Sequence, residues 1–265
     1  MNNSIGLPLK VFAAITYAAM VTVNFSANAL PINNRSTGAI SDAYPNLFAP
    51  AGVTFSIWGL IYLLLGGYLL YQFISFGKDA KQKDEALCQK VNLLFAINAL
   101  CNIAWIFSWH YDYIGLSVII MAFLLITLIK INDVIGAVNL STQEKLFVAT
   151  PFSVYFGWIT VATIANITVF LVSIGWNGFG IADYIWTCVI LFIGAAIGVL
   201  RMLKDKKLAY GLVLVWAYSG ILFKHLSQSG FAGQYVSVIT VTIICIIIFT
   251  VTLFEIYKKN NIKLN

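Results

Sequence analysis

The chain has 265 residues and a net charge of +6; 60% of it is hydrophobic and only 10% charged, with a mean hydropathy of +0.88. Soluble domains carry about 25% charged residues, so a globular fold exposed to water on all sides is excluded. The basic residues fall in short clusters between apolar runs rather than along one face, which excludes a nucleic-acid partner.

Apolar runs long enough to cross a bilayer, about 20 residues each, recur eight times and predict an all-α, polytopic transmembrane helical bundle. The first covers Leu7–Leu30 and the second Gly52–Phe76. The third, Val91–Trp109, and the fourth, Tyr113–Ile131, are joined by a tight turn at His110, Tyr111 and Asp112. The fifth runs from Leu146 to Ile174 with Pro151 in its first turn, where a missing N–H does least harm. Ile181–Leu203, Ala209–His225 and Ala232–Tyr257 complete the set. Lys10 ahead of an apolar stretch that ends in Ala27, Asn28 and Ala29 has some features of a signal peptide. The single basic residue and the length of the run favour a retained helix.

Eight spans put the N-terminus, every second loop and the C-terminus on one side of the lipid bilayer. Fourteen of the sixteen Lys and Arg residues fall there, and only Arg35 and Lys224 fall opposite. By the positive-inside rule both termini are cytoplasmic, in a multi-pass protein of the plasma (inner) membrane.

Amides and aromatics recur inside the spans at helical spacing. Tyr17, Asn24 and Asn28 mark the first, and Trp58 and Tyr62 stand four apart in the second. Asn98, Asn102, Trp105 and Trp109 share one face of the third, and Tyr155, Trp158, Ala162 and Asn166 one face of the fifth. Unpaired polar groups are costly in hydrocarbon. Such stripes therefore either pin helices together or line a small-molecule pocket with apolar walls and a few directional polar groups. Trp on three of the four faces favours a pocket. Trp109, Trp176 and Tyr257, near span ends, read as interface anchors.

Three motifs carry a family resemblance. Pro50 through Phe55 followed by Trp58-x-x-x-Tyr62 resembles the second-helix signature of the TspO/translocator proteins, also called tryptophan-rich sensory proteins. Asn98-x-x-x-Asn102-x-x-Trp105 is similar to their third-helix pattern, and Trp158-x-x-x-Ala162-x-x-x-Asn166 to their fifth. The order and helix placement agree over roughly residues 7–174. The chain departs from the family at Val154, where a proline is usual, at Phe107-Ser108-Trp109-His110, and in three additional spans after residue 180.

The resemblance implies a five-helix membrane domain over residues 1–176, followed by a three-helix extension over 177–265. It also implies a hydrophobic small-molecule ligand that is flat or polycyclic, a porphyrin or other tetrapyrrole first, with binding, sensing or transport as the function. Trp58, Tyr62, Asn102, Trp105, Trp158 and Ala162 would line the cavity and Asn98 and Asn166 would fix its polar corner. The loop from Pro31 to Pro50 would cover the mouth.

The other polar groups suggest less. Lys224, His225 and Asp183 fit an alternative, a proton-coupled secondary transporter or permease, because ionisable groups within spans are often functional. A lysine at a span end also snorkels to the interface. No Ser/His/Asp arrangement, paired carboxylates or metal-ligand spacing marks a catalytic centre, so no enzyme, no metal and no cofactor beyond a bound tetrapyrrole is expected; porphyrin modification stays open. The four cysteines, Cys88, Cys101, Cys188 and Cys245, read as buried thiols. Gly175, Gly178 and Gly180 surround a turn with no phosphate-binding pattern. Gly194, Ala195 and Gly198 form a small-residue face suited to packing within the chain, the default, or across a homodimer.

Overall fold

A computed structural model describes residues 6–30, 32–73 and 85–262. The end of the second predicted span at Phe76, the loop lysines Lys78, Lys81 and Lys83, and Pro31 and Lys263 lie outside the described residues. Every element among those residues is helical. Eight helices are long and apolar enough to cross a membrane, as the hydropathy pattern predicts. They are α1 (Gly6–Ala29), α2 (Ile57–Phe73), α3 (Glu85–His110), α4 (Ile114–Gly136), α5 (Thr142–Ser173), α6 (Asp183–Asp205), α7 (Leu208–Leu226) and α8 (Val236–Ile262). In hydrocarbon a segment must satisfy its own backbone hydrogen bonds, which these apolar sequences do as helices.

The chain divides into two compact units. One comprises Met1–Thr37 with Trp58–Phe156, the other Gly38–Ile57 with Gly157–Asn265. In the first unit α3 is the central helix, packed along both α1 and α4. Beyond Gly6, the buried residues of α1 are Ala13, Thr16, Met20, Asn24 and Ala27, a seam at three- and four-residue intervals. Ile114, Ser117, Met121, Leu124, Leu128 and Ile135 trace a similar seam on α4. Large apolar side chains point outward, with Leu63 73% exposed. That arrangement is stable only where the surroundings are lipid.

In the second unit α8 packs against α6 and α7, and small residues set the spacing. A Cβ on Gly157 would lie 2.9 Å from the Tyr210 carbonyl oxygen, and one on Gly198 2.6 Å from Leu214. Gly194 faces Tyr218 and Ile164, so the small-residue face of α6 is used within the chain. The hydroxyl of Tyr218 crosses from α7 to donate to the Leu191 carbonyl at 2.9 Å.

The structure corrects two readings. Helix α5 begins before Leu146. Ser141 caps it, its hydroxyl accepting from the Glu144 N–H while Glu144 accepts from the Ser141 N–H, a reciprocal capping box. Pro151 therefore sits well inside α5, two residues past the end of a wide π turn at Lys145–Ala149. Proline withholds the N–H that Phe147 would need in an α-helix. The turn widens so that Thr150 bonds back to Lys145 through its N–H and, at 2.9 Å, through its hydroxyl. Trp109 is no interface anchor. It is 4% exposed, stacks on Trp105 at 5.4 Å and donates its indole N–H to the Thr37 carbonyl at 3.1 Å.

A candidate ligand site among buried amides and aromatics

The first unit collects most of the predicted site residues. Asn24 of α1 donates to Asn102 Oδ1 of α3 at 2.6 Å, and Asn102 Nδ2 donates to the Tyr155 hydroxyl of α5 at 3.1 Å. Three helices are thus joined by one polar relay whose members are all buried. Trp58 stacks on Tyr62, one turn along α2, at 5.6 Å, and presents its edge to the Tyr155 ring at 5.8 Å. Tyr17 of α1 donates to the Tyr62 carbonyl at 2.7 Å. The Tyr62 hydroxyl itself is buried and has no hydrogen-bond partner among the described residues. A buried phenol without a partner forfeits about 1–3 kcal/mol.

Asn98 lies elsewhere. Its Nδ2 donates to the Leu124 carbonyl at 3.2 Å and to Thr127 Oγ1 at 2.7 Å, both on α4. Four residues advance a helix by about 400°, some 40° past a full turn, enough to aim Asn98 and Asn102 at different neighbours. Trp105 is buried against Trp109. Asn24 and Tyr155 belong to the relay although the motifs do not include them; both stand on the amide and aromatic stripes of their helices. A second buried network, in which Tyr68 and Gln72 donate to Asn92 Oδ1 and Asn92 donates to Gln72, ties α2 to α3.

The start of the long loop is fastened to the end of α3. His110 Nδ1 meets the Ile32 carbonyl at 3.0 Å and its Nε2 meets Thr37 Oγ1 at 3.2 Å. The carbonyl requires Nδ1 to carry the proton, which leaves Nε2 to accept from the threonine. Asn33 donates to the His110 carbonyl at 2.9 Å, and Arg35 pairs with Asp112.

Trp158, Ala162 and Asn166 belong to the second unit. Trp158 is buried and meets the Phe55 ring edge-on at 5.7 Å, and Asn166 is also buried. In this unit the far end of the loop is fastened to α7. The Ala51 N–H donates to the Gly220 carbonyl at 3.1 Å, Trp216 Nε1 to the Thr54 carbonyl at 3.0 Å, and His225 Nε2 to the Leu47 carbonyl at 2.9 Å. Lys224 pairs with Asp42 at 2.8 Å. Lys224 and His225, two of the three residues of the transporter alternative, are thus engaged in holding the loop, whereas Asp183 opens α6 with no ion pair among the described residues. No group of His, Cys, Asp or Glu among the described residues is placed to hold a metal ion.

The sequence profile of the TSPO-like protein family matches residues 10–254. The chain belongs to the TSPO-like family. The match runs on from the motif-bearing helices through α6, α7 and most of α8, so in this TSPO-like protein the last three helices fall inside the family's own pattern. No significant match is found among curated proteins or solved structures. Family membership and the eight apolar helices together make the chain an integral, multi-pass membrane protein of the TspO type.

Proposed function

We propose that this TSPO-like protein binds a flat, hydrophobic polycyclic ligand, a tetrapyrrole first, to sense or transport it rather than to transform it. The site we favour lies in the first unit, around Trp58, Tyr62, Asn102 and Tyr155. The observation that carries the reading is the Tyr62 hydroxyl, buried beside stacked indole and phenol rings and left without a partner among the described residues. A ligand with a large π face and a polar edge would stack on such rings and give that hydroxyl the hydrogen bond it lacks. The neighbouring relay uses both polar atoms of the Asn102 amide, so Asn102 would shape the site rather than grip the ligand. The charge asymmetry supports a plasma-membrane orientation with cytoplasmic termini.

Titrating protoporphyrin into the purified protein while following tryptophan fluorescence tests this. Saturable quenching is expected, weakened about tenfold in Tyr62→Phe, the equivalent of one hydrogen bond of ~1.4 kcal/mol. Quenching that does not saturate, or that is unchanged in Tyr62→Phe, removes the assignment.

A further inference from the structure

A cavity of about 300 Å³ lies wholly within the second unit. Its walls are the loop at Pro45–Phe48, the end of α5, the turn at Gly175 and Trp176, and the first two turns of α6. Gly175, Gly178 and Gly180 all have positive φ, and Trp186 Nε1 donates to the Gly178 carbonyl at 2.8 Å. A Cβ on Gly178 would lie 3.1 Å from that indole. Trp176 and Trp186 consequently meet at 5.3 Å with their planes 55° apart, and both line the cavity.

Most side-chain donors of the lining are already used within the unit. The N–H of Trp186 is spent on Gly178. The Thr187 hydroxyl donates to the Asp183 carbonyl at 2.8 Å and that of Thr168 to the Ile164 carbonyl at 2.9 Å. Asn46 Nδ2 donates to the Tyr44 carbonyl at 2.9 Å, while its Oδ1 accepts from the N–H groups of Phe48 and Ala49. What is left unspent in the lining is the Trp176 N–H, hydroxyl lone pairs, indole π faces and the Asp183 carboxylate, the one formally charged group among the described lining residues. No Lys, Arg or His lines it, and Asp183 has no ion pair among the described residues. An anion would meet repulsion from the carboxylate, and a neutral donor would bond to it without engaging the indole faces. A cation with an apolar shell would meet a carboxylate and two indoles together, the combination that recognises alkylated ammonium groups.

We infer that the cavity bounded by Asp183, Trp176 and Trp186 is a binding site for an alkylated ammonium group, carried by a free cation or by a lipid headgroup. It shares no residue with the site proposed in the first unit.

Calorimetric titration of the full chain in a non-ionic detergent tests the assignment with three probes. They are choline, dimethylbutanol (the uncharged carbon analogue of choline) and a short-chain phosphatidylcholine. Saturable binding of choline but not of dimethylbutanol is expected, weakened at least tenfold in Asp183→Asn and in Trp176→Leu and reduced by added salt. Binding of the phosphatidylcholine alone, with the same dependence on Asp183, assigns the site to a lipid headgroup and equally supports it. Equal binding of choline and its uncharged analogue, binding unchanged in Asp183→Asn, or no binding of either ammonium probe overturns it. Asp183 is exposed and Asn is isosteric with it, so Asp183→Asn should fold. Its protoporphyrin quenching should match that of the unaltered protein, so the two sites fail separately.

Discussion

The two units of this protein keep helices together in lipid by different means. In the first, amides do it: Asn24 with Asn102, Asn98 with Thr127, and Asn92 with Gln72 and Tyr68. In the second, glycines let backbones and side chains approach, with Gly157, Gly194, Gly198 and Gly220 each in contact with a neighbouring element. Both devices answer one fact, that lipid provides no hydrophobic drive between apolar helices. Hydrogen bonds fix partner and register at modest energy, whereas close packing gains contact area but tolerates no added volume. Each unit keeps a buried polar atom without a partner among the described residues, Tyr62 Oη in the first and Thr54 Oγ1 and His225 Nδ1 in the second, but only that of Tyr62 lies beside a stacked indole.

Breaking the comparison should hurt most on the glycine side. Gly220→Val places a branched side chain where even a Cβ would lie 2.0 Å from Thr54 Oγ1. We expect a loss of about 3 kcal/mol or more, seen as a collapse of the thermal unfolding midpoint in detergent. A midpoint like that of the unaltered protein would mean that close packing is not what holds α7 to the loop.

On the amide side the expected effects are smaller. Asn102→Leu removes a partner from both Asn24 and Tyr155 and should cost about 1–2 kcal/mol. A double-mutant cycle of Asn24→Ala and Asn102→Ala should return a coupling of about 0.6–1.7 kcal/mol; strict additivity would show that the relay is geometry without energy. Gly66→Ala sharpens the contrast within the first unit. Its Cβ would meet the Tyr17 side chain, most closely its hydroxyl at 2.8 Å, the far end of a side chain that can swing away. The cost should be about one hydrogen bond, ~1 kcal/mol, well below that of Gly220→Val on the same unfolding assay.

The smallest effect is expected at Lys224→Ala. Its partner Asp42 is 61% exposed, and pairs of that kind contribute about 0–1 kcal/mol. The unfolding midpoint should barely move, and whatever shift appears should shrink in high salt.

The architecture was legible because it follows from composition: eight apolar runs must be helices once water is excluded. The capping box of Ser141 and Glu144 was equally open to reading, although Leu146, the first strongly apolar residue, draws the eye past it. Periodicity also found the stripes, but a face is not a partner. Spacing puts Asn98 and Asn102 together, and only the packing of α4, α1 and α5 around α3 sends their amides to different helices. The loop fastenings were beyond reach of local pattern. His225 and Leu47 are 178 residues apart, and a histidine ending an apolar run carries no mark of which carbonyl it will meet. The aromatic cavity of the second unit depends on positive-φ glycines drawing two tryptophans together, and their spacing implies a turn without showing its shape.

The wide turn at Lys145–Ala149 has one more consequence. A π turn accommodates one residue more than an α turn, so helical phase is not carried through it, and each side keeps its own angular origin offset by about 100°. Shortening the segment by one residue would rotate the capped end against the face that bears Tyr155, while Pro151 would still leave one α-helical bond unmade. The chain has room there to gain or lose a residue and still cross the membrane, but only one length keeps the capped end in its present register with the face that carries Tyr155.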